Sequence, residues 1–186
     1  AGHALVAASL KDADPVHKVS IISRGSAGGY TLKLPSEDVR LKTKSQFMAD
    51  LTMMIGGYSA EETVFGDVST GASNDLKQAT ELARALVTKF GMSEKLGPMT
   101  FGKNEELIFL GREISSERNY SEKVAAEIDE EVSGFISRAH SLAKKVISTR
   151  KRVLDAIAGA LMEKETLEHE DFYALLRPFH LKPLSV

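Results

Sequence analysis

The segment from Asp67 to Thr80 reads Asp-Val-Ser-Thr-Gly-Ala-Ser-Asn-Asp-Leu-Lys-Gln-Ala-Thr. A short polar loop leads into a helix, which is predicted from apolar residues spaced three and four apart. Ser73 or Asn74 is placed to cap the first free N–H groups, so Asp75 falls in the first turn. The positive end of the helix dipole stabilises a carboxylate there. The apolar residues are Leu76, Ala79, Leu82, Ala83, Leu86, Val87 and Phe90.

Asp75 has two interpretations at this point. The simpler one is a favourable first-turn charge, because acidic residues are common at helix starts. The other is that its ionised carboxylate is a hard oxygen ligand for a metal ion, with further ligands supplied from distant parts of the sequence. A candidate partner is His3, which opens a small-residue helix predicted to end near Lys11. That helix has no polar face, so a histidine at its start is unusual. The default interpretation is nevertheless a structural histidine whose ring nitrogens are hydrogen-bonded within the core.

Seven short motifs, taken in order, resemble one known family. Together they are similar to the peptidase domain of the FtsH family of membrane-bound, ATP-dependent zinc metalloproteases, peptidase family M41. The resemblance extends from residue 1 to about residue 176, and its most specific motif is Ser-Thr-Gly-Ala-Ser-Asn-Asp. The motifs lie at residues 1–4 (Ala-Gly-His-Ala), 14–22, 29–31 (Gly-Tyr-Thr), 56–57 (Gly-Gly), 60–62 (Ala-Glu-Glu), 69–75 and 93–98.

The resemblance implies a zinc site. In this family the site begins His-Glu-Ala-Gly-His, so His3 corresponds to the second histidine, while the first histidine and the general-base Glu would immediately precede Ala1. Two histidines four apart face one side of a helix. The implied zinc ligands are that first histidine, His3 and Asp75, which leaves a fourth position open. The chain as given holds two ligands and no base, so we expect weak metal binding and no peptidase activity from it.

The adjacent residues Glu61 and Glu62 are expected to have different roles. Family position places Glu61 near the metal histidines, where it would orient a ligand imidazole by accepting its other N–H. Glu62 is expected on a solvated helix face.

Two short strands are predicted near this site, over residues 17–23 and 30–34. An exposed edge strand can hold an extended peptide by main-chain hydrogen bonds. The resemblance places Gly29, Tyr30 and Thr31 beside the substrate cleft. The alternative is an ordinary hairpin that packs against the core, and the sequence leaves the two open.

The rest of the chain is predicted to be helical, which gives a mainly α fold with a small β element and a C-terminal helical hairpin. One helix begins near Thr43 and is broken at Gly56-Gly57. We expect a single peptidase domain, with a metal-site and cleft part at 1–112, a helical part at 113–176 and a flexible tail at 177–186. The segment 99–111 is expected to cover the site or form a subunit contact. The other predicted helices span residues 60–65, a long stretch capped by Ser121, a following helix around 153–161, and 168–176.

The other histidines are assigned no metal. His17 lies in a predicted strand, where a structural role is favoured over lining the site. His140 is expected at the surface or its boundary, and His180 in a disordered tail. His169-Glu170 imitates a zinc motif but lacks a histidine four residues on.

Composition excludes several classes of protein. A net charge of −2 does not indicate the excess of basic residues that is typical of nucleic-acid binding. The absence of Cys excludes disulfides and thiolate-bound zinc. No run approaches 18 apolar residues, and no phosphate-binding Gly-x-x-x-x-Gly-Lys-Ser/Thr motif is present. The resemblance implies that membrane-spanning segments and an ATP-using AAA domain lie upstream. It places the peptidase domain on the cytoplasmic side or its organellar equivalent, and this piece is expected to be soluble.

The resemblance further implies unfolded proteins as substrates and a homo-hexamer as the assembly. Two alternatives compete with this reading. One is a catalytically inactive, peptidase-like assembly domain, which would be favoured if the residues before Ala1 are not His-Glu. The other is a zinc hydrolase acting on a small substrate, which the helical C-terminal part and the edge strand disfavour.

Overall fold

The computed structural model describes residues 1–22, 29–33, 41–102 and 119–186. Within those ranges the chain forms seven α-helices and three short β-strands. The helices are α1 Gly2–Ser9, α2 Lys44–Met54, α3 Gly56–Phe65, α4 Ser73–Thr88, α5 Glu122–Thr149, α6 Lys151–Lys164 and α7 His169–Leu176. The strands are β1 Val16–Ser20, β2 Tyr30–Lys33 and β3 Thr166–Glu168. The predicted mainly α fold with a small β element is confirmed.

Helix α1 lies within one of two hydrophobic clusters. Leu5 and Val6 have no exposed surface, as the lack of a polar face predicted. The helix ends at Ser9 rather than near Lys11, because Leu10 is extended and pairs with the C-terminal segment. Its small residues allow close packing on α3: a Cβ added to Gly2 would lie 2.5 Å from a backbone carbonyl oxygen of α3.

The three strands form one antiparallel sheet in the order β2-β1-β3, so β2 lies at an edge. Strand β1 ends at Ser20, three residues before the predicted end. The predicted end of β2, residue 34, lies outside the described residues. Strand β3 was not predicted, because the turn before it is made by Glu165 in a left-handed conformation (φ 58°), where the sequence carries no glycine to indicate a turn.

The predicted break at Gly56-Gly57 is displaced by one residue. Ile55 alone separates α2 from α3, and the two glycines form the first turn of α3. Helix α2 begins with the reciprocal cap of Thr43 and Gln46, in which each side chain accepts from the other's backbone N–H. The glycines therefore serve the approach of α1 to α3 rather than ending a helix.

The predicted cap of α4 is wrong. The oxygen of Ser69, and not Ser73 or Asn74, accepts the N–H of Gly71 at 3.1 Å and starts a 3₁₀ turn over Thr70–Ala72. That turn runs directly into α4, which has no side-chain cap of its own. Asp75 remains in the first turn, as predicted.

Helix α5 links the two clusters. Its cap is Ser121, whose oxygen accepts the N–H of Val124, as predicted. The amino-terminal half of its apolar face packs with α2 and α4, and the carboxy-terminal half packs with α1 and α6. Arg150 alone separates α5 from α6. The residues on the first half are Ile128, Val132, Phe135 and Ala139, and those on the second are Ala143, Val146 and Ile147.

Glu62, predicted on a solvated helix face, is only partly exposed and makes contacts with another helix that were not predicted. Its carboxylate oxygens lie 3.0 Å from Nε2 of His140 and 3.3 Å from Nζ of Lys144, which ties α3 to α5. These contacts hold the pKa of the Glu62 carboxyl below its usual value. His140 is half-buried, in agreement with the predicted boundary position, and its ring lies edge-on to Tyr58.

Part of the tail predicted to be flexible packs against the domain, whereas His180 is exposed and its predicted disorder stays a prediction. The N–H of Lys11 donates to the carbonyl oxygen of Leu184 at 2.9 Å, and the N–H of Leu184 donates to the carbonyl oxygen of Ser9 at 2.8 Å. Leu181 and Leu184 contact the α1 cluster, so these two residues add apolar packing to the hydrogen bonds. Most of the segment 99–111, and the predicted boundary at 112, lie outside the described residues. Nowhere in the described part is a helix both long and apolar enough to cross a bilayer.

Candidate metal and peptide site

His3 is fixed in the first turn of α1. Its Nδ1–H donates to the carbonyl oxygen of Met53 at 2.8 Å. A carbonyl oxygen only accepts, so in the neutral imidazole Nε2 carries the lone pair. Backbone at the end of α2 thus selects the tautomer that leaves Nε2 available to a ligand, and 28 % of the side chain is exposed.

The space for this imidazole is left by Gly57. A Cβ at that position would lie 2.5 Å from Nε2 of His3 and 2.8 Å from Cε1, closer than packed atoms approach. The second glycine of the pair in α3 is therefore part of the site, because it makes room for the ring.

Asp75 faces His3 from the first turn of α4. Its Oδ2 lies 3.3 Å from Nε2 of His3. An ionised carboxylate and an unprotonated imidazole nitrogen are both electron-pair donors, so this pair suits a cation, and nitrogen and oxygen are donors that zinc accepts. Within the described ranges no third His, Cys, Asp or Glu joins them in a metal-binding group. The residues present fit two of the three protein ligands of a catalytic zinc site.

Glu61 anchors the loop that carries Asp75. Its Oε2 accepts the backbone N–H of Ser69 at 2.7 Å. Ser69 in turn caps the 3₁₀ turn that leads into α4, so the carboxylate of Glu61 fixes the start of the helix that carries Asp75. For His3, the acceptor of the other N–H is Met53 rather than Glu61. The predicted role of Glu61 toward a further histidine stays a prediction.

A cavity of about 550 Å³ joins these residues to the sheet. Edge strand β2 borders it, and its register places Tyr30 opposite Ser20 and Thr31 opposite Val19. All six residues that the sequence singled out line this one cavity: His3, Gly29, Tyr30, Thr31, Glu61 and Asp75. Their roles in metal and peptide binding stay predictions, but their convergence from four separate parts of the chain is observed.

Sequence reasoning missed several contributors to the site. Val19, Ser20 and Ile21 of the β1 region and Asn74 of α4 also line the cavity. Asn74 could have been found by its position beside Asp75. The contact with Met53 could not have been predicted, because every residue type has a backbone carbonyl that can accept this hydrogen bond.

A family model and many known proteins are similar to the chain, and three of those relatives are described here. The model of peptidase family M41 matches residues 1–175. The ATP-dependent zinc metalloprotease FtsH of Chloroflexus aggregans is 54% identical over 189 residues, covering 100% of this chain and 28% of that protein. FtsH 1 of Thermomicrobium roseum is 56% identical over 175 residues, covering 94% of this chain and 27% of that protein. FtsH of Thermotoga maritima is 48% identical over 177 residues, covering 95% of this chain and 29% of that protein.

The chain spans less than a third of the length of these relatives. What matches is nevertheless nearly the whole of the chain, and it includes both candidate metal ligands and the loop between α3 and α4. The chain belongs to peptidase family M41.

Proposed function

We propose that this chain is the zinc-dependent endopeptidase domain of a membrane-anchored, ATP-dependent protease that degrades unfolded or misassembled proteins. One observation carries the peptidase chemistry: Nε2 of His3 and Oδ2 of Asp75 lie 3.3 Å apart in a cavity bordered by a strand edge. The names of the relatives, ATP-dependent zinc metalloproteases, support the zinc and ATP dependence.

His3 and Asp75 would hold the zinc ion together with the first histidine of the family motif. The N–H of Leu5 donates to the carbonyl oxygen of Ala1 at 2.9 Å, so the helical hydrogen bonding already includes Ala1. A residue four positions before His3 on the same helix would share its face, and the Glu of the motif would be the general base. When bound, zinc would supply Lewis acidity that polarises a peptide carbonyl and increases the acidity of water.

The residues of this chain do the positioning. Met53 holds His3 in the tautomer that presents Nε2, and Glu61 holds the loop that presents Asp75. Strand β2 would bind an extended substrate by main-chain hydrogen bonds along its outer edge. Recognition of the main chain does not depend on the substrate's side chains, which suits broad specificity toward unfolded polypeptides.

The whole-protein properties follow the same proposal. An upstream AAA domain would use ATP to deliver substrate, membrane segments would anchor the protein, and six copies would form a ring with the peptidase domain on the cytoplasmic or equivalent organellar side. The length of the relatives supports further domains, since this chain covers 27% to 29% of each.

The test is zinc content of the domain extended by the native residues that precede Ala1. We expect about one zinc per chain, lost in Asp75→Asn and kept in Glu81→Gln, an exposed carboxylate of the same helix. Full zinc retention in Asp75→Asn would refute the ligand assignment. Cleavage of an unfolded polypeptide, compared with a small ester, then tests the substrate class. Zinc binding without either activity would favour an assembly domain instead.

A further inference from the structure

A second cavity, of about 620 Å³, lies at the junction of α5 and α6, where the C-terminal segment crosses it. Small-molecule sites have volumes of roughly 300–1,000 Å³. Five basic residues and no acidic residue are among those that line it in the described part of the chain. The basic residues are Arg150, Lys151, Arg152, His180 and Lys182.

Arg150 is the least compensated of these cations. Its Nη2 donates to the carbonyl oxygen of Lys182 at 2.5 Å, while Nη1 is buried and has no acceptor among the described residues. Burial lowers the pKa of Arg150, yet a guanidinium stays protonated at neutral pH. Partly buried cations are normally paired with an anion. Here the described residues supply only one neutral oxygen.

The neighbouring cations are also largely unneutralised. Lys151 pairs with Asp155 at 3.0 Å, one turn along α6. The exposed side chains of Arg152 and Lys182 have no ion-pair partner within the described ranges. Lys151 and Arg152 occupy the first turn of α6, where the helix dipole disfavours positive charge, although the carboxyl end of α5 offsets part of this. The cavity therefore carries an excess of positive charge that an anion would relieve.

We propose that this cavity binds a phosphate-bearing small molecule. Arg152 and Lys182 would contact its oxygens, and Arg150 would add positive charge from the wall. Several cations from separate segments converge on one volume, which favours a multiply charged group over a single carboxylate, and guanidinium groups match phosphate oxygens well. The site is separate from the His3–Asp75 cavity and does not depend on its proposed function.

The test uses the full 186-residue chain, labelled with ¹⁵N and titrated with pyrophosphate alone at constant ionic strength. We expect saturable shifts in the amide signals of residues 148–153 and 179–182. The double variant Arg152→Gln/Lys182→Gln should weaken binding about tenfold or more, because charge-assisted hydrogen bonds are lost. Lys89→Gln, an exposed lysine at the end of α4, should bind as the unmodified chain does.

Both substituted positions are exposed, so circular dichroism should show an unchanged fold. Three outcomes would each overturn the proposal. They are no saturable shift in the unmodified chain, equal weakening by Lys89→Gln, and an affinity for glutamate as high as that for pyrophosphate.

Discussion

The substitution Gly57→Ala tests whether the α3 glycine makes room for His3, the proposed zinc ligand. The added Cβ would lie 2.5 Å from Nε2 and 2.8 Å from Cε1 of His3. The backbone of α3 is held against α1, so the imidazole has to rotate. Rotation breaks the 2.8 Å hydrogen bond from Nδ1 to Met53 and turns Nε2 away from Asp75.

Two opposing changes in the free energy of unfolding are expected. Alanine favours a helix over glycine by about 0.8–1.0 kcal/mol. Loss of the hydrogen bond to Met53 costs roughly 0.5–1.5 kcal/mol. The two nearly cancel, so the melting temperature of the metal-free protein should change by no more than about 3 °C. Zinc affinity should fall about 10–100-fold, the cost of losing a group that orients a ligand.

The assay is zinc competition with a chromogenic chelator, on the domain extended by the native residues preceding Ala1, together with thermal unfolding in chelator. Gly159→Ala is the matched control, since a Cβ there meets nothing within 4 Å and the position lies in exposed helix. It should stabilise the protein by about 1 kcal/mol and leave zinc affinity unchanged. Unchanged zinc affinity in Gly57→Ala would refute the reasoning.

Three further predictions concern α3 and the tail. Glu61→Gln should weaken zinc binding about tenfold with little change in melting temperature, because its weaker amide acceptor loosens Ser69; equal affinity in the chelator assay would contradict this. Glu62 has a pKa lowered from 4.5 by His140, so its stabilisation is present above that pH and is lost as pH falls through the folded pKa. Denaturant titrations from pH 6 to 3 should show a flatter profile for Glu62→Gln. Deleting residues 181–186 should lower the denaturation midpoint, which a mobile tail would not do.

Local patterns predicted most of the helices. Helices α4 and α5 were predicted from their apolar spacing, and the cap at Ser121 was predicted as well. Both are local signals, because amphipathic periodicity and capping act within a few residues. The cap of α4 was misplaced because two serines, Ser69 and Ser73, stand four residues apart in one polar run. Only the 3₁₀ turn between them decides which serine caps it.

Features that depend on distant contacts were not predicted. Strand β3 exists because it pairs with β1, some 150 residues earlier in the chain, and three residues carry too little pattern to indicate a strand. The tail packs through hydrogen bonds between Leu184 and residues in and next to α1. The contacts of Glu62 were not predicted because its partners, His140 and Lys144, lie on another helix.

The residues of the candidate site were predicted from sequence motifs. Motifs identify the side chains at a site, but not the neighbouring residues that hold those side chains in position. Helix α3 carries neither His3 nor Asp75, yet it controls both. Gly57 sets the room for the imidazole, and Glu61 holds the loop that leads to Asp75. The next residue, Glu62, fixes α3 to α5. Because successive helical residues point about 100° apart, one member of an adjacent acidic pair can support the site while the other joins α3 to α5. Changes in α3 should therefore affect metal affinity more than stability at positions 57 and 61, with the reverse order at position 62.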